Sequence, residues 1–102
     1  MFVVWEPMIG TDVTRPAKLA MHLISDRRAR HYWDEQHILA RHMKSDSRAP
    51  QPAPNCCEMD GILWDLAAVY PRSAMWTDAL PPAVVFDGPV VSITSSITDA
   101  LK

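Results

Sequence analysis

The amino-acid sequence predicts a single α/β domain, ordered strand, helix, strand, helix, strand, strand, helix around a mixed four-stranded sheet. Three observations lead there. The chain has 102 residues, the length of about one domain. Its apolar share of 48% against 22% charged residues excludes a mainly disordered chain, which lacks the apolar surface to offset its ordering entropy. Compact β-branched and aromatic runs alternate with stretches of helical period.

The first run, Phe-Val-Val-Trp at residues 2–5, is ended by Glu6-Pro7 and reads as a buried strand. Residues 7–14 carry Pro, Gly, Asp and Thr and read as a loop. Asp12 or Thr14 caps a helix whose first turn holds Pro16, where a missing N–H costs nothing. Leu19, Ala20, Leu23 and Ile24 form its apolar face. Residues 29–33 alternate polar and apolar, as a short strand near a sheet edge does. Asp34 is a good N-cap for a helix over 35–44, with Glu35 in its first turn and Ile38, Leu39 and Met43 inward.

Residues 45–60 differ in composition. Pro50, Pro52 and Pro54 at alternate positions predict an extended loop carrying Cys56 and Cys57 at its far end. A loop of this length in a small domain is often functional or mobile. Gly61 leads into 62–70, the most apolar run, which suits a central strand with Asp65 as its one charge. A second loop over 72–80 holds Trp76. Pro81 and Pro82 precede a strand over 83–86, and Asp87-Gly88-Pro89 reads as a hairpin turn into a short strand over 90–92. Thr94 or Ser95 caps a last helix through Leu101. The expected core is Val3, Val4, Leu19, Leu23, Leu63, Ala67, Val69, Val84 and Phe86.

Ten Lys and Arg against twelve Asp and Glu give a net charge of −2, which disfavours nucleic acid as the ligand. No apolar run approaches the ~18–20 residues of a membrane span, and the first residues lack the basic start of a signal peptide. The cytoplasm is the expected location. Two adjacent cysteines do not make a disulfide framework, so both thiols are expected reduced and unjoined.

The element order resembles the thioredoxin fold, a three-layer sandwich. Val3-Val4-Trp5-Glu6-Pro7 looks like its first core strand entering the active-site loop. Residues 80–88, Leu-Pro-Pro-Ala-Val-Val-Phe-Asp-Gly, look like its cis-proline and following hairpin. The chain is also similar to bacterial thioredoxin-like proteins carrying Val-Val-Trp-Glu-Pro and Trp-Asp-x-x-Ala-Val-Tyr-Pro, here residues 64–71. That likeness implies a fold, a cis bond before Pro81 or Pro82, and no activity. The loop that should carry Cys-x-x-Cys reads Met8-Ile9-Gly10-Thr11-Asp12-Val13-Thr14, so the dithiol reaction has no residues there.

The candidate sites follow from chemistry. Cys56 and Cys57 can chelate a soft metal ion or cycle between thiol and disulfide; the plainer reading is one buried and one half-exposed cysteine. Trp5-Glu6 and Trp33-Asp34 fall at the carboxyl ends of the first two strands, where open α/β sheets bind ligands. Trp76, Pro81 and Pro82 complete the expected cleft; rim packing of large rings is the structural alternative. The four histidines show no i, i+4 ligand spacing; His37 and His42 stand about 140° apart around a helix. Asp26-Arg27-Arg28-Ala29-Arg30 is a small basic cluster, of a kind that is commonly a solvated face. These features favour a non-catalytic module for a small molecule or peptide, with no cofactor implied and a homodimer compatible with it. The alternative is a thiol protein working through Cys56 and Cys57.

Overall fold

The computed structural model describes residues 1–7, 22, 24–45 and 51–102. The chain divides into two compact units, Met1–Leu39 and Ala40–Lys102. The expected helix through Pro16, Leu19, Ala20 and Leu23, and the loop over 8–14, lie outside the described residues. Ile24 is half-buried in a bend. Among the described residues, no helix is long and apolar enough to cross a membrane.

In the first unit, β1 (Phe2–Trp5) and β2 (Arg30–Trp33) pair in parallel, from Phe2 opposite Arg30 to Trp5 opposite Trp33. The parallel sense is the one expected of two strands with a helix predicted between them. Side chains alternate between faces along a strand, so Val3, Trp5, His31 and Trp33 share a half-buried face while Phe2, Val4, Arg30 and Tyr32 are exposed. The Phe2 and Tyr32 rings lie 6.0 Å apart on that open face. Val4 therefore leaves the expected core: the ribbon has one covered face, and a run that looked buried on both sides is buried on one.

The next element, α1 (Ile38–Ser45), begins three residues later than expected. Asp34 still holds its start, accepting the backbone N–H of Ile38 at 2.8 Å and of Leu39 at 2.9 Å. The shift turns Ile38 outward, 67% exposed, while Leu39 and Met43 are half-buried.

The second unit overturns the four-stranded sheet and with it the thioredoxin-like sandwich. Among the described residues the strands form three separate two-stranded sheets. One is the β1–β2 pair. Another joins β3 (Glu58–Met59) to β4 (Ile62–Leu63) antiparallel, and the last joins β5 (Ala67–Val69) to β6 (Val85–Asp87) antiparallel. The run 62–70 is thus no central strand. It breaks at Asp65, whose φ of 46° is left-handed, a conformation Asp tolerates better than β-branched residues. The Asp65 carboxylate accepts the Val90 N–H at 3.2 Å, so the run's lone charge marks a corner.

The Asp-Gly hairpin also lies elsewhere. Asp60 (φ 53°) and Gly61 (φ 78°) form the two-residue turn between β3 and β4, both left-handed as such turns require. Asp87-Gly88-Pro89 instead enters a 3₁₀ turn over Val90–Ser92, where a strand was expected. The final helix, α2 (Thr94–Ala100), starts at Thr94 with no side-chain cap; the Thr94 hydroxyl donates to the Val91 carbonyl at 3.0 Å. The one cis peptide bond among the described residues is Gly88–Pro89, so the bonds before Pro81 and Pro82 are trans, against expectation.

The described part of the Pro-rich loop is laid along the chain that leads into β6. The Gln51 side chain donates to the Pro81 carbonyl at 3.0 Å and accepts the Ala83 N–H at 2.8 Å. The Asp87 carboxylate accepts the N–H and the side-chain amide of Asn55, each at 2.7 Å, and the Gly88 N–H at 2.9 Å. Those donors hold Asp87 below the ordinary carboxylate range, the Gly88 N–H contributing most. A Cβ on Gly88 would run into the backbone carbonyl of Asp65, so that crossing admits only glycine.

Cys57, Leu63, Leu80 and Phe86 are buried, all in this unit. Leu63 and Phe86 were expected there. Ala67 and Val69 are half-buried, as is Val3 in the first unit. Val84 is 57% exposed: its N–H pairs with the Val69 carbonyl at 2.8 Å, and alternation sends its side chain away from Phe86. Leu19 and Leu23 lie outside the described residues.

Two outcomes follow. Phe86→Ala should lower stability by about 3–5 kcal/mol in denaturant titration, the range for truncating a buried aromatic, whereas Val84→Ala should stay within about 0.5 kcal/mol. Asp87 has a depressed folded value, so its stabilisation is present above the ordinary carboxylate range and lost as pH falls through that lowered value. The stability gap between wild type and Asp87→Asn, wide at neutral pH, should narrow on acidification.

Candidate functional site at the end of the parallel pair

The parallel register puts both carboxyl ends of β1 and β2 at one rim. Trp5 stands opposite Trp33, and the chain leaves each strand through an acid, Glu6 or Asp34. Two histidines join them: His31, which the sequence offers as a residue that could line a pocket beside Tyr32-Trp33-Asp34, and His37, which it does not mark as part of a site.

Trp5 stacks on His31 with ring centroids 6.1 Å apart, and its indole N–H donates to His31 Nδ1 at 3.0 Å. This bond leaves Nδ1 of His31 as the acceptor. His37 is held the opposite way. Its Nδ1 lies 2.8 Å from Glu6 Oε2, and a carboxylate can only accept, so Nδ1 is the donor of that contact. The His37 and Glu6 side chains are 17% and 13% exposed. Burial pushes Glu6 above its usual range; the His37 contact opposes this, and the Asp34 charge adds to the rise. His37 also has a left-handed backbone, φ 56°, an unfavourable conformation for a non-glycine residue. The Asp34 carboxylate closes the ring of contacts from below, holding the first N–H groups of α1.

Of the sequence-derived candidates, the first unit gathers Trp5, Glu6, Trp33 and Asp34. The two acids serve inward: Asp34 caps a helix and Glu6 orients a histidine. The polar edge left at the rim belongs to the imidazoles. A signal for this existed in the sequence: His31 sits two residues before Trp33, on its face of the strand, and His37 follows the cap of α1. Linking His37 to Glu6 needed the register.

Trp76, Pro81 and Pro82 belong to the second unit. Trp76 is 52% exposed and stacks on His42 at 6.0 Å. Pro81 is half-buried, its carbonyl accepting from Gln51, and Pro82 is exposed. The Tyr70 hydroxyl in the same unit is buried without a hydrogen-bond partner among the described residues, and burial pushes its pKa above the ordinary phenol value.

Cys56 is half-buried and Cys57 is buried, and the structure joins their sulfurs as a disulfide. This corrects the expectation of two unjoined thiols. Neighbouring side chains point apart in extended chain; at Cys57, φ of 101° abandons that conformation and turns the two to one side. Cys57 also packs as core. Among the described residues, no group of three or more His, Cys, Asp or Glu is arranged to hold a metal ion. In the basic cluster, Arg28 is engaged by Asp26 at 2.7 Å on an exposed surface.

No family model, curated protein or solved structure matches this chain.

The cysteines should separate by burial. Under reducing conditions Cys57→Ser, which puts a hydroxyl into the core, should cost about 1–3 kcal/mol, and Cys56→Ser clearly less, both read by urea titration.

Proposed function

We propose that the chain is a binding module for a small molecule, taken at the carboxyl end of the β1–β2 pair. The observation that carries this reading is the pair of half-buried imidazoles whose Nδ1 atoms are engaged in opposite senses, His31 accepting from Trp5 and His37 donating to Glu6. One offers a hydrogen-bond donor at Nε2, the other an acceptor. Beside them, Trp5 and Trp33 supply flat apolar surface with few rotatable bonds. A small ligand carrying a ring and a hydroxyl answers both features: the ring lies against indole, and the hydroxyl donates to His37 Nε2.

The thiol reading has less support. Cys57 is buried, as Leu63 and Phe86 are in the same unit, and a buried sulfur is a poor ligand for an incoming ion.

The test compares p-cresol with its methyl ether, which has the same ring and no hydroxyl to donate. In ¹H–¹⁵N spectra, p-cresol should shift the Trp5 indole and His37 ring signals in a saturable way, and the ether should act at least several-fold more weakly. Equal response to both, or response confined to the second unit, would remove this site.

A further inference from the structure

We infer that Glu6 and His37 form a carboxylate–imidazole pair competent for nucleophilic acyl transfer, with simple aryl esters as the substrate class. The inference rests on the rim admitting a small aromatic molecule and goes beyond binding.

Three features support it. First, the Glu6 contact of 2.8 Å directs Nδ1 at the carboxylate, so in the neutral ring the lone pair lies on Nε2, the nitrogen turned away from Glu6. This is the arrangement in which a third group orients an active imidazole, and the nucleophile here is the imidazole itself. Second, among the described residues no hydrogen bond is made to Nε2 of His37. Third, the pair is built at some cost: a left-handed backbone at His37 and a carboxylate that is largely desolvated. Strain of this kind persists only where surrounding contacts impose it, and it gathers at sites that do chemistry. Here Asp34 imposes it, because its carboxylate fixes the N–H groups of Ile38 and Leu39 directly after His37.

The step balances without a cofactor. The Nε2 lone pair attacks the ester carbonyl carbon. The bond between the acyl carbon and the phenolic oxygen breaks, and the phenolate leaves with its electron pair. The acyl-imidazolium keeps its Nδ1 proton against Glu6, whose negative charge stabilises the positive ring. Water then attacks the acyl carbon, one water proton passes to solvent, the N–C bond breaks with its electron pair returning to Nε2, and the carboxylic acid departs, leaving the neutral ring with hydrogen on Nδ1. A phenolate is a good leaving group for an imidazole, whereas an amide or alkyl ester is not, which sets the substrate class.

The experiment uses p-nitrophenyl acetate with the intact chain. Release of p-nitrophenolate is followed by absorbance, and the acylated residue is located by mass spectrometry after a rapid acid quench. In the wild type the acetyl group should lie on His37 in preference to His22, His31 and His42. His37→Ala should lose roughly 10²-fold of the protein-dependent rate, the lower end of what a positioned catalytic imidazole contributes. Glu6→Gln, which keeps a hydrogen-bonding side chain but removes the charge, should fall between the two. Acetyl found on lysine, cysteine or another histidine in the wild type overturns the proposal without any appeal to variants. So does an unchanged rate in His37→Ala or Glu6→Gln, each checked for an unaltered β1–β2 signature in its ¹H–¹⁵N spectrum. Saturable p-cresol binding without acylation of His37 would defeat this inference and leave the binding reading standing. Acylation of His37 without p-cresol binding would do the reverse.

Discussion

Short sheets leave backbone groups without partners, and this chain satisfies them with side chains. A buried N–H or C=O that finds no partner costs about as much as a lost hydrogen bond. Two-stranded ribbons pair only one edge of each strand, and isolated ones are marginal in water. The free edges and corners are therefore served by acids and amides. Asp34 holds the first turn of α1, Gln51 bridges Pro81 and Ala83, Asp65 holds Val90, and Asp87 holds Asn55 and Gly88. Gln51 does this in the manner of a peptide group, with one donor and one acceptor facing a neighbouring segment. The architecture is stitched at these points, and so its charged residues are structural to an unusual degree.

That role explains what became of the acids at the rim. In a large open sheet, the carboxylates after the first two strands would face a crevice. Here the unit is small enough that each is needed at home: Asp34 because a helix starts at once, Glu6 because His37 is brought against it. What remains for a ligand is the part of the histidines that those contacts leave uncovered. The polar groups at the rim are thus two imidazoles, one held by Glu6 and the other by Trp5.

Much of the local structure was legible. The β1 and β2 segments, the capping by Asp34, and the burial of Leu63 and Phe86 follow from apolar runs, alternation and capping, and the parallel sense of β1 and β2 from the helix predicted between them. The errors have a common origin. The run 62–70 was read by hydropathy, which cannot distinguish a long central strand from two short ones meeting at a corner. Asp65 was the clue, since Asp accepts a left-handed backbone and an isolated charge inside an apolar run needs a reason. The Asp-Gly signal occurs twice, at 60–61 and 87–88; the first makes a hairpin, while the proline after the second denies the next strand its N–H. The Glu6–His37 contact joins residues 31 apart and had no local trace. Neither did the clamp between Asn55 and Asp87, which turned a seemingly free Pro-rich loop into a laid-down strap.

The bond from the Trp5 indole to His31 constrains what position 31 can hold. Indole nitrogen is a donor and nothing else. A residue in place of His31 must therefore offer an acceptor at the same point, or leave a half-buried N–H unanswered. Trp5 is in this sense keyed to its neighbour: the setting of the largest flat surface at the rim depends on a lone pair supplied from the adjoining strand.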